Sequence, residues 1–197
     1  MLTANDYIGL WSGCVLTEDT NKIKELDYIC KTILANKPFY VTVAFTSRIP
    51  WPLVAAIHFR ESDLNFKCHL HNGDPLTSRT VRVPVGRPIQ GSPPFTWVAS
   101  AIDALTEVWK PPVWDIAGCL EFLERYNGCG YQKHSVNTPY VWDYTNQYTS
   151  GLYVTDGSFD PSARESRPGA ASLLKSLSEK GVSLDFSAFA SPKSLLH

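Results

Sequence analysis

The sequence predicts a mostly helical α+β protein, and three observations support this prediction. Apolar residues recur at helical spacing in several segments, each bounded by capping or stop signals. A polar stretch at residues 63–94, rich in Asn, Gly, Pro and Thr, separates these segments and indicates a small β-hairpin or an irregular lobe. The length of 197 residues suits one domain, which we expect at 1–181 with a tail at 182–197.

Two helices are predicted before residue 37, and a third one soon after it. The first covers about residues 4–14, and the second runs from the capping-type sequence Thr17-Glu18-Asp19 to about residue 35. Lys37-Pro38 is expected to end the second helix. Pro50-Trp51-Pro52 then opens a third helix that extends to Ser62, because proline is tolerated in a first turn.

The later helices are expected at about residues 95–109, 115–126, 138–148 and 168–180. Asn127-Gly128 is a stop signal for the second of these helices, and Gly181 is one for the last. Ahead of them, residues 80–85 alternate between polar and apolar side chains as a β-strand does. The Ser-rich tail is expected either to dock as an arm or to be loosely ordered.

The charge balance argues against nucleic acids and anionic membranes as partners. Eighteen Lys and Arg against 19 Asp and Glu give a net charge of −1, so there is no basic excess to hold nucleic acid or an anionic membrane. No stretch approaches the length of a membrane span, and the N-terminal residues lack the cationic and apolar pattern of a signal peptide. We expect a monomer that does not insert into membranes.

The five cysteines indicate buried free thiols in a protein made in a reducing cytosol. Their number is odd, their spacing is wide and none forms a CxxC pair. Cys68, His69 and His71 are the group that comes nearest to a metal site, but a fourth ligand would have to come from elsewhere in the chain. We therefore predict no metal, no other cofactor and no disulfide.

Glu61 is the residue that says most about chemistry. Its spacing from Val54 and Ile57 puts it on the apolar face of the third helix, close to the C-terminal end. Burial and the negative end of the helix dipole both disfavour the charged carboxylate. We therefore expect a raised pKa for Glu61, as a general acid that works near neutrality requires.

Alternatives remain open for this glutamate and for the histidines around it. The carboxyl could be partly exposed and paired with Arg60 or Arg79. His58, one helical turn earlier, is a candidate both for a hydrogen-bonded core histidine and for a group that tunes the pKa of the carboxyl. His69 and His71 share one face of an extended segment, so they could hold the glutamate or contact a substrate.

Several features of the sequence follow one another between residues 51 and 169. An apolar helix ends in Glu61-Ser62, and a polar segment follows it directly. Further along the chain comes the loop Tyr126-Asn127-Gly128-Cys129-Gly130-Tyr131. It resembles the Asn-x-Gly loop that goose-type lysozymes and lytic transglycosylases place beside their cleft. The last feature is the stretch Pro139-Tyr140-Val141-Trp142-Asp143-Tyr144-Thr145-Asn146-Gln147-Tyr148. Together these features cover about residues 51–169 and resemble the lysozyme superfamily, in particular lysozyme-like proteins of phages and prophages.

This resemblance implies a lysozyme-like fold with Glu61 as the general acid. Asp74 and Thr80, with five residues between them, are similar in part to the Glu–Asp–Thr series of T-even phage lysozymes, and would position a water molecule. The candidate substrate-binding residues are Ser62, His71, Asn127, Gly128, Tyr131 and Tyr140. Further candidates for stacking against sugar rings are Trp97, Trp142 and Tyr148.

The function that the resemblance implies is cleavage of peptidoglycan glycan strands. The protein would be an endolysin or a virion-associated muramidase, made in the cytoplasm of an infected bacterium, that hydrolyses the β-1,4 bond between N-acetylmuramic acid and N-acetylglucosamine. Hydrolysis with inversion is favoured over lytic transglycosylation, in which the sugar's own hydroxyl attacks and one acidic residue suffices. A non-catalytic structural or wall-binding protein is the other alternative, although an unused buried carboxyl would cost stability.

Overall fold

A computed structural model describes residues 2–186 and residue 189. The chain divides into two compact units, each of which is described by itself: a first unit from residues 1–31 and 111–197, and a second unit from residues 32–110. The helices are α1 (Ala4–Ser12), α2 (Thr20–Ala35), α3 (Lys37–Ser47), α4 (Trp51–Ser62), α5 (Trp97–Thr106), α6 (Ile116–Asn127), α7 (Pro139–Trp142) and α8 (Ala170–Glu179). A 3-10 helix spans Cys129–His134, and the strands are β1 (Leu152–Thr155) and β2 (Ser158–Asp160).

The mostly helical α+β class is confirmed, and most helices begin and end where local signals predict. At α2, the Asp19 carboxylate accepts hydrogen bonds from the amides of Asn21 and Lys22, which have no partner inside the helix. Asp115 caps α6 through the amide of Gly118 in the same way. The helix then ends at Gly128, whose φ of +93° lies in the region that favours glycine.

Helix α2 ends at Ala35, just before Lys37-Pro38, as predicted, but helix α3, which begins at Lys37, was not predicted. Proline fits this first turn because it lacks an amide hydrogen that the turn would leave unbonded in any case. In the second unit, α3 packs against both α4 and α5. The core between them contains Tyr40, Val43 and Leu53, all fully buried.

The predicted strand at residues 80–85 is wrong, and the segment after α4 is the irregular lobe that was the alternative to a hairpin. Val81, Val83 and Val85 are 72%, 84% and 68% exposed, so the alternating side chains pack against no neighbouring strand. The segment closes on itself as a turn, in which the Thr80 amide donates to the Arg87 carbonyl at 2.8 Å. The lobe holds one isolated bridge, between Cys68 and Pro75.

The two strands of the described chain lie in the first unit, at a position that was not predicted. β1 and β2 form an antiparallel hairpin in which Leu152 pairs with Asp160 and Tyr153 with Phe159. The helix predicted at 138–148 is shorter than expected and ends at Trp142, because Asp143 is extended and Tyr144 has a φ of +64°.

The first unit is built around contacts of α1 with α6, of α6 with α7 and of α7 with α8. Leu120, Leu123, Val141, Trp142 and Leu173 are fully buried in it. The predicted docking arm at 182–197 lies mostly outside the described residues, so it stays a prediction, as does the single domain at 1–181. Among the described residues, none of the helices has both the length and the hydrophobicity that a membrane span requires.

Candidate active site

Glu61 lies at the end of a helix that is buried along its length. Residues 52–60 of α4 are all buried, whereas Glu61 and Ser62 are half-buried. The Ser62 hydroxyl donates to the His58 carbonyl at 3.3 Å, which satisfies one of the acceptors at the helix end. Asp63 ends the helix in the left-handed conformation, with a φ of +51°. Glu61 thus combines a buried helical support with access to solvent.

The turn that carries Asp74 packs against this end of α4. A Cβ atom added to Gly73 would lie 3.8 Å from the carbonyl oxygen of Glu61, so the turn contacts the helix end closely. The φ of Gly73 is +74°, which favours glycine at this point of the turn. The Asn72 side chain stabilises the same turn by accepting a hydrogen bond from the amide of Asp74 at 3.0 Å.

The Asp74 carboxylate joins the two sides of the lobe. It is buried and accepts hydrogen bonds from the amides of Val81 and Arg82, at 2.8 and 3.0 Å, and from Arg82 Nε at 2.6 Å. The Arg82 amide first, and then the Val81 amide and the Arg82 side chain, lower the pKa of Asp74 to about 2. Asp74 is therefore an anion at any pH near neutrality.

Thr80 uses its hydroxyl to shape the same lobe. Its Oγ1 donates to the carbonyl of Pro84 and accepts from the amide of Arg87 at 2.8 Å. The hydroxyl donates its single hydrogen to the Pro84 carbonyl, so Thr80 can offer a water molecule only an acceptor site. Thr80 is itself buried.

Several buried and half-buried polar groups tie this lobe to α5. His69 donates from Nε2 to the Ser78 carbonyl, and its Nδ1 lies 2.8 Å from Ser100 Oγ. His71 donates from Nε2 to Asp103 at 2.8 Å, and Arg87 Nε donates to the same carboxylate oxygen at 2.7 Å. We refer to these groups as the Asp103 network.

His71, predicted to bind substrate, is a member of this network. Its side chain is 4% exposed, and burial lowers its pKa, although the hydrogen bond to Asp103 opposes that effect. The ring therefore supports the lobe and offers little surface to a ligand. Sequence reasoning missed Ser100, Asp103 and Arg87, because each is ordinary in its local context and becomes informative only once the fold brings them together.

His58 takes the first of its two predicted roles, that of a hydrogen-bonded core histidine. The ring is fully buried, and its Nδ1 lies 3.1 Å from the Tyr40 hydroxyl. Trp97 and Phe66 pack on it, with ring centroids at 4.3 and 4.7 Å. Burial lowers the pKa of His58 to about 4, partly opposed by the backbone carbonyl of Asn65.

In the first unit, the predicted sugar-binding loop borders a cavity of 520 Å³. We call it the hairpin cavity, because Asn127, Gly128 and Tyr131 line one side of it and Tyr153 and Asp156 of the hairpin line the other. Tyr131, Tyr140, Trp142 and Tyr148 are buried, as is Trp97 in the second unit. Their burial favours a role in the core over stacking against a sugar.

The predicted site residues thus fall into one group in each unit. Glu61, Ser62, His71, Asp74 and Thr80 belong to the second unit, and Asn127, Gly128, Tyr131 and Tyr140 to the first. No family model, curated protein or solved structure matches the chain. The assignment of a function therefore depends on the side chains themselves.

The cysteines and histidines form no metal centre in the described part of the chain. Cys14, Cys30, Cys68, Cys119 and Cys129 are free thiols. No three His, Cys, Asp or Glu side chains among the described residues converge as metal ligands. At the group predicted to come nearest to a metal site, Cys68 Sγ accepts from Asn65, while the rings of His69 and His71 belong to the Asp103 network.

Proposed function

We propose that the protein is a peptidoglycan-cleaving muramidase, which breaks the β-1,4 bond between N-acetylmuramic acid and N-acetylglucosamine with Glu61 as the general acid. The observation that carries this proposal is the setting of Glu61, a half-buried glutamate at the end of a buried helix. Partial burial and the negative end of the helix dipole both favour the protonated carboxyl. A general acid needs that form to donate a proton to the leaving sugar oxygen.

The second element that supports a glycosidase is the ionised Asp74 next to this helix end. Glycosidases that use water pair a protonated acid with a second carboxylate. Asp74 is ionised near neutrality, although it is paired with Arg82, and it lies in a turn that packs on the Glu61 carbonyl. In this proposal, Asp74 stabilises the positive charge that develops on the sugar ring, and water attacks from the side opposite to Glu61.

The contacts of Asp74 also favour a second candidate, a lytic transglycosylase acting on the same bond. A carboxylate with a pKa of about 2 that already accepts three hydrogen bonds is a weak base for activating water. A transglycosylase needs no such base, because a hydroxyl of the sugar attacks. Mass spectrometry of the released muropeptides separates the two: hydrolysis leaves a reducing N-acetylmuramic acid, and transglycosylation leaves a 1,6-anhydro product lighter by one water.

The general-acid role is tested by Glu61→Gln. Glutamine has nearly the same shape but cannot donate the proton, so we expect release of muropeptides from purified cell walls to fall about a thousandfold. The matched control is Glu107→Gln, which makes the same chemical change at an exposed position that caps the C-terminal end of α5 in the same unit. We expect this control to release muropeptides at the wild-type rate.

Two outcomes would contradict the proposal. One is a folded Glu61→Gln protein that keeps a tenth or more of the wild-type rate. The other is a folded wild-type protein that releases nothing from cell walls, which would favour the non-catalytic wall-binding protein. Circular dichroism on each variant establishes that the comparison is between folded proteins.

A further inference from the structure

The hairpin cavity contains an aromatic ring that is held in place from several sides. The Tyr153 hydroxyl donates to the carbonyl of Gly130 at 3.2 Å, and the same oxygen lies 3.1 Å from His134 Nε2. The Tyr131 and Tyr153 rings are nearly perpendicular at a centroid distance of 5.1 Å, and the Phe159 ring lies 5.3 Å from that of Tyr153. Tyr153 is thus a half-buried ring whose orientation is determined before any ligand arrives.

Glycines leave the space beside this ring open. A Cβ atom on Gly128 or on Gly157 would meet nothing within 4 Å, and both residues have a positive φ. At Gly130, by contrast, a Cβ would lie 3.2 Å from the Tyr153 hydroxyl. The cavity of 520 Å³ lies within the size range of sites that take small ligands.

The polar groups of the hairpin cavity indicate which ligand chemistry it accepts. Among the described residues that line it, Asp156 is the one charged side chain, and it is exposed at the turn of the hairpin. A lone carboxylate repels phosphates and carboxylates and accepts hydrogen bonds from hydroxyls. The Asn127 amide, oriented by a hydrogen bond from its Nδ2 to Thr138 Oγ1 at 3.2 Å, offers a second polar contact.

We propose that the hairpin cavity binds an uncharged N-acetylglucosamine unit of a glycan strand, with Tyr153 as the ring on which the sugar stacks. The apolar C–H face of a pyranose fits an aromatic plane, and Asp156 accepts hydrogen bonds from the sugar hydroxyls. A preoriented ring loses little conformational freedom on binding, which favours affinity. This inference rests on the proposed function for the identity of the glycan, and it adds the β1–β2 hairpin as a determinant of which sugar is bound.

The test measures binding and requires no bond cleavage. A β-1,4-linked trimer of N-acetylglucosamine is titrated into the full-length Glu61→Gln protein, with affinity read by calorimetry and location by the amide resonances of Gly128 and Gly157. We expect Tyr153→Ala in that background to bind the trimer about tenfold more weakly. Gly130→Ala, which pushes on the Tyr153 hydroxyl without changing a left-handed residue, should weaken binding to a smaller degree.

Two controls make the result specific. Tyr28→Ala removes a tyrosine that is 71% exposed on α2 and should leave the affinity unchanged. A trimer of galacturonic acid, which has carboxylates on the same kind of ring, should fail to bind. The inference is overturned if the trimer does not bind, if folded Tyr153→Ala and Gly130→Ala bind it as tightly as their parent, or if the acidic trimer binds equally well. Because muropeptide release by the wild-type protein is measured separately, failure of this inference and failure of the proposed function are distinguishable.

Discussion

Replacing His58 by glutamine should flatten the dependence of stability on pH between pH 6.5 and 4. The ring is fully buried between Tyr40, Phe66 and Trp97, and burial lowers its pKa from 6.5 to about 4. Glutamine is of similar size, cannot titrate and keeps an acceptor for the Tyr40 hydroxyl. The variant therefore removes the proton-binding group while leaving the packing of the second unit close to that of the wild type.

The sign and size of the effect follow from the two pKa values of His58. Well above pH 6.5, the ring is neutral in both the folded and the unfolded chain. As the pH falls, the unfolded chain takes up a proton near 6.5, whereas the folded chain does so only near 4, so the free energy of unfolding decreases across this interval and is level below it. At about 1.4 kcal/mol per tenfold change in proton affinity, the loss is about 3 kcal/mol.

Urea denaturation at intervals from pH 7.5 to 3.5 measures this quantity as the difference between wild type and His58→Gln. Subtracting the two curves removes the contributions of carboxylates and of His71, which both proteins share. Parallel curves for wild type and His58→Gln, or a His58 ring that titrates near 6.5 by NMR, would refute the reasoning.

Two further predictions concern stability. Gly118→Ala places a Cβ against the carbonyl of Val113 and should lower the free energy of unfolding by about 1–3 kcal/mol. Gly9→Ala, in open space on α1, should raise it by up to about 1 kcal/mol. Melting temperatures that change in the same direction in both variants would contradict this prediction. Asp103→Asn weakens the acceptor shared by His71 and Arg87 and should lower the free energy of unfolding by about 1–3 kcal/mol. Limited proteolysis should then cleave residues 67–95 faster than in the wild type. An unchanged cleavage rate there would count against the Asp103 network as the anchor of the lobe.

Features that depend on neighbours in the chain were predictable from the sequence. The capping aspartates Asp19 and Asp115 and the stop at Gly128 act within one helical turn, so their effect can be predicted without knowledge of the fold. The periodicity of α4 likewise indicated that Glu61 comes at the end of a buried face. Helix α3 was missed because a proline after a helix is compatible both with a stop and with a new first turn.

Features that depend on distant residues were not predictable in this way. The valines at 81, 83 and 85 alternate as a strand does, but a strand also needs a partner, and the structure provides none for them. Asp103 lies 32 residues from His71, and Tyr153 lies 23 residues from Gly130, so neither contact leaves a local signal. The candidate site is therefore predictable at Glu61 and not in the groups that support it.

The lobe after α4 owes its shape to a few side chains rather than to a ladder of backbone hydrogen bonds. The side chains of Asp74, Thr80 and Asp103 each form hydrogen bonds or ion pairs with groups that lie elsewhere in the lobe. The exposed valines contribute little packing. During evolution, the valines of this lobe are then free to vary, while the anchors and the number of residues between them are not. A relative too distant for overall similarity should still carry the three anchors at the same separation, which makes their spacing a more sensitive search pattern than the sequence of the lobe itself.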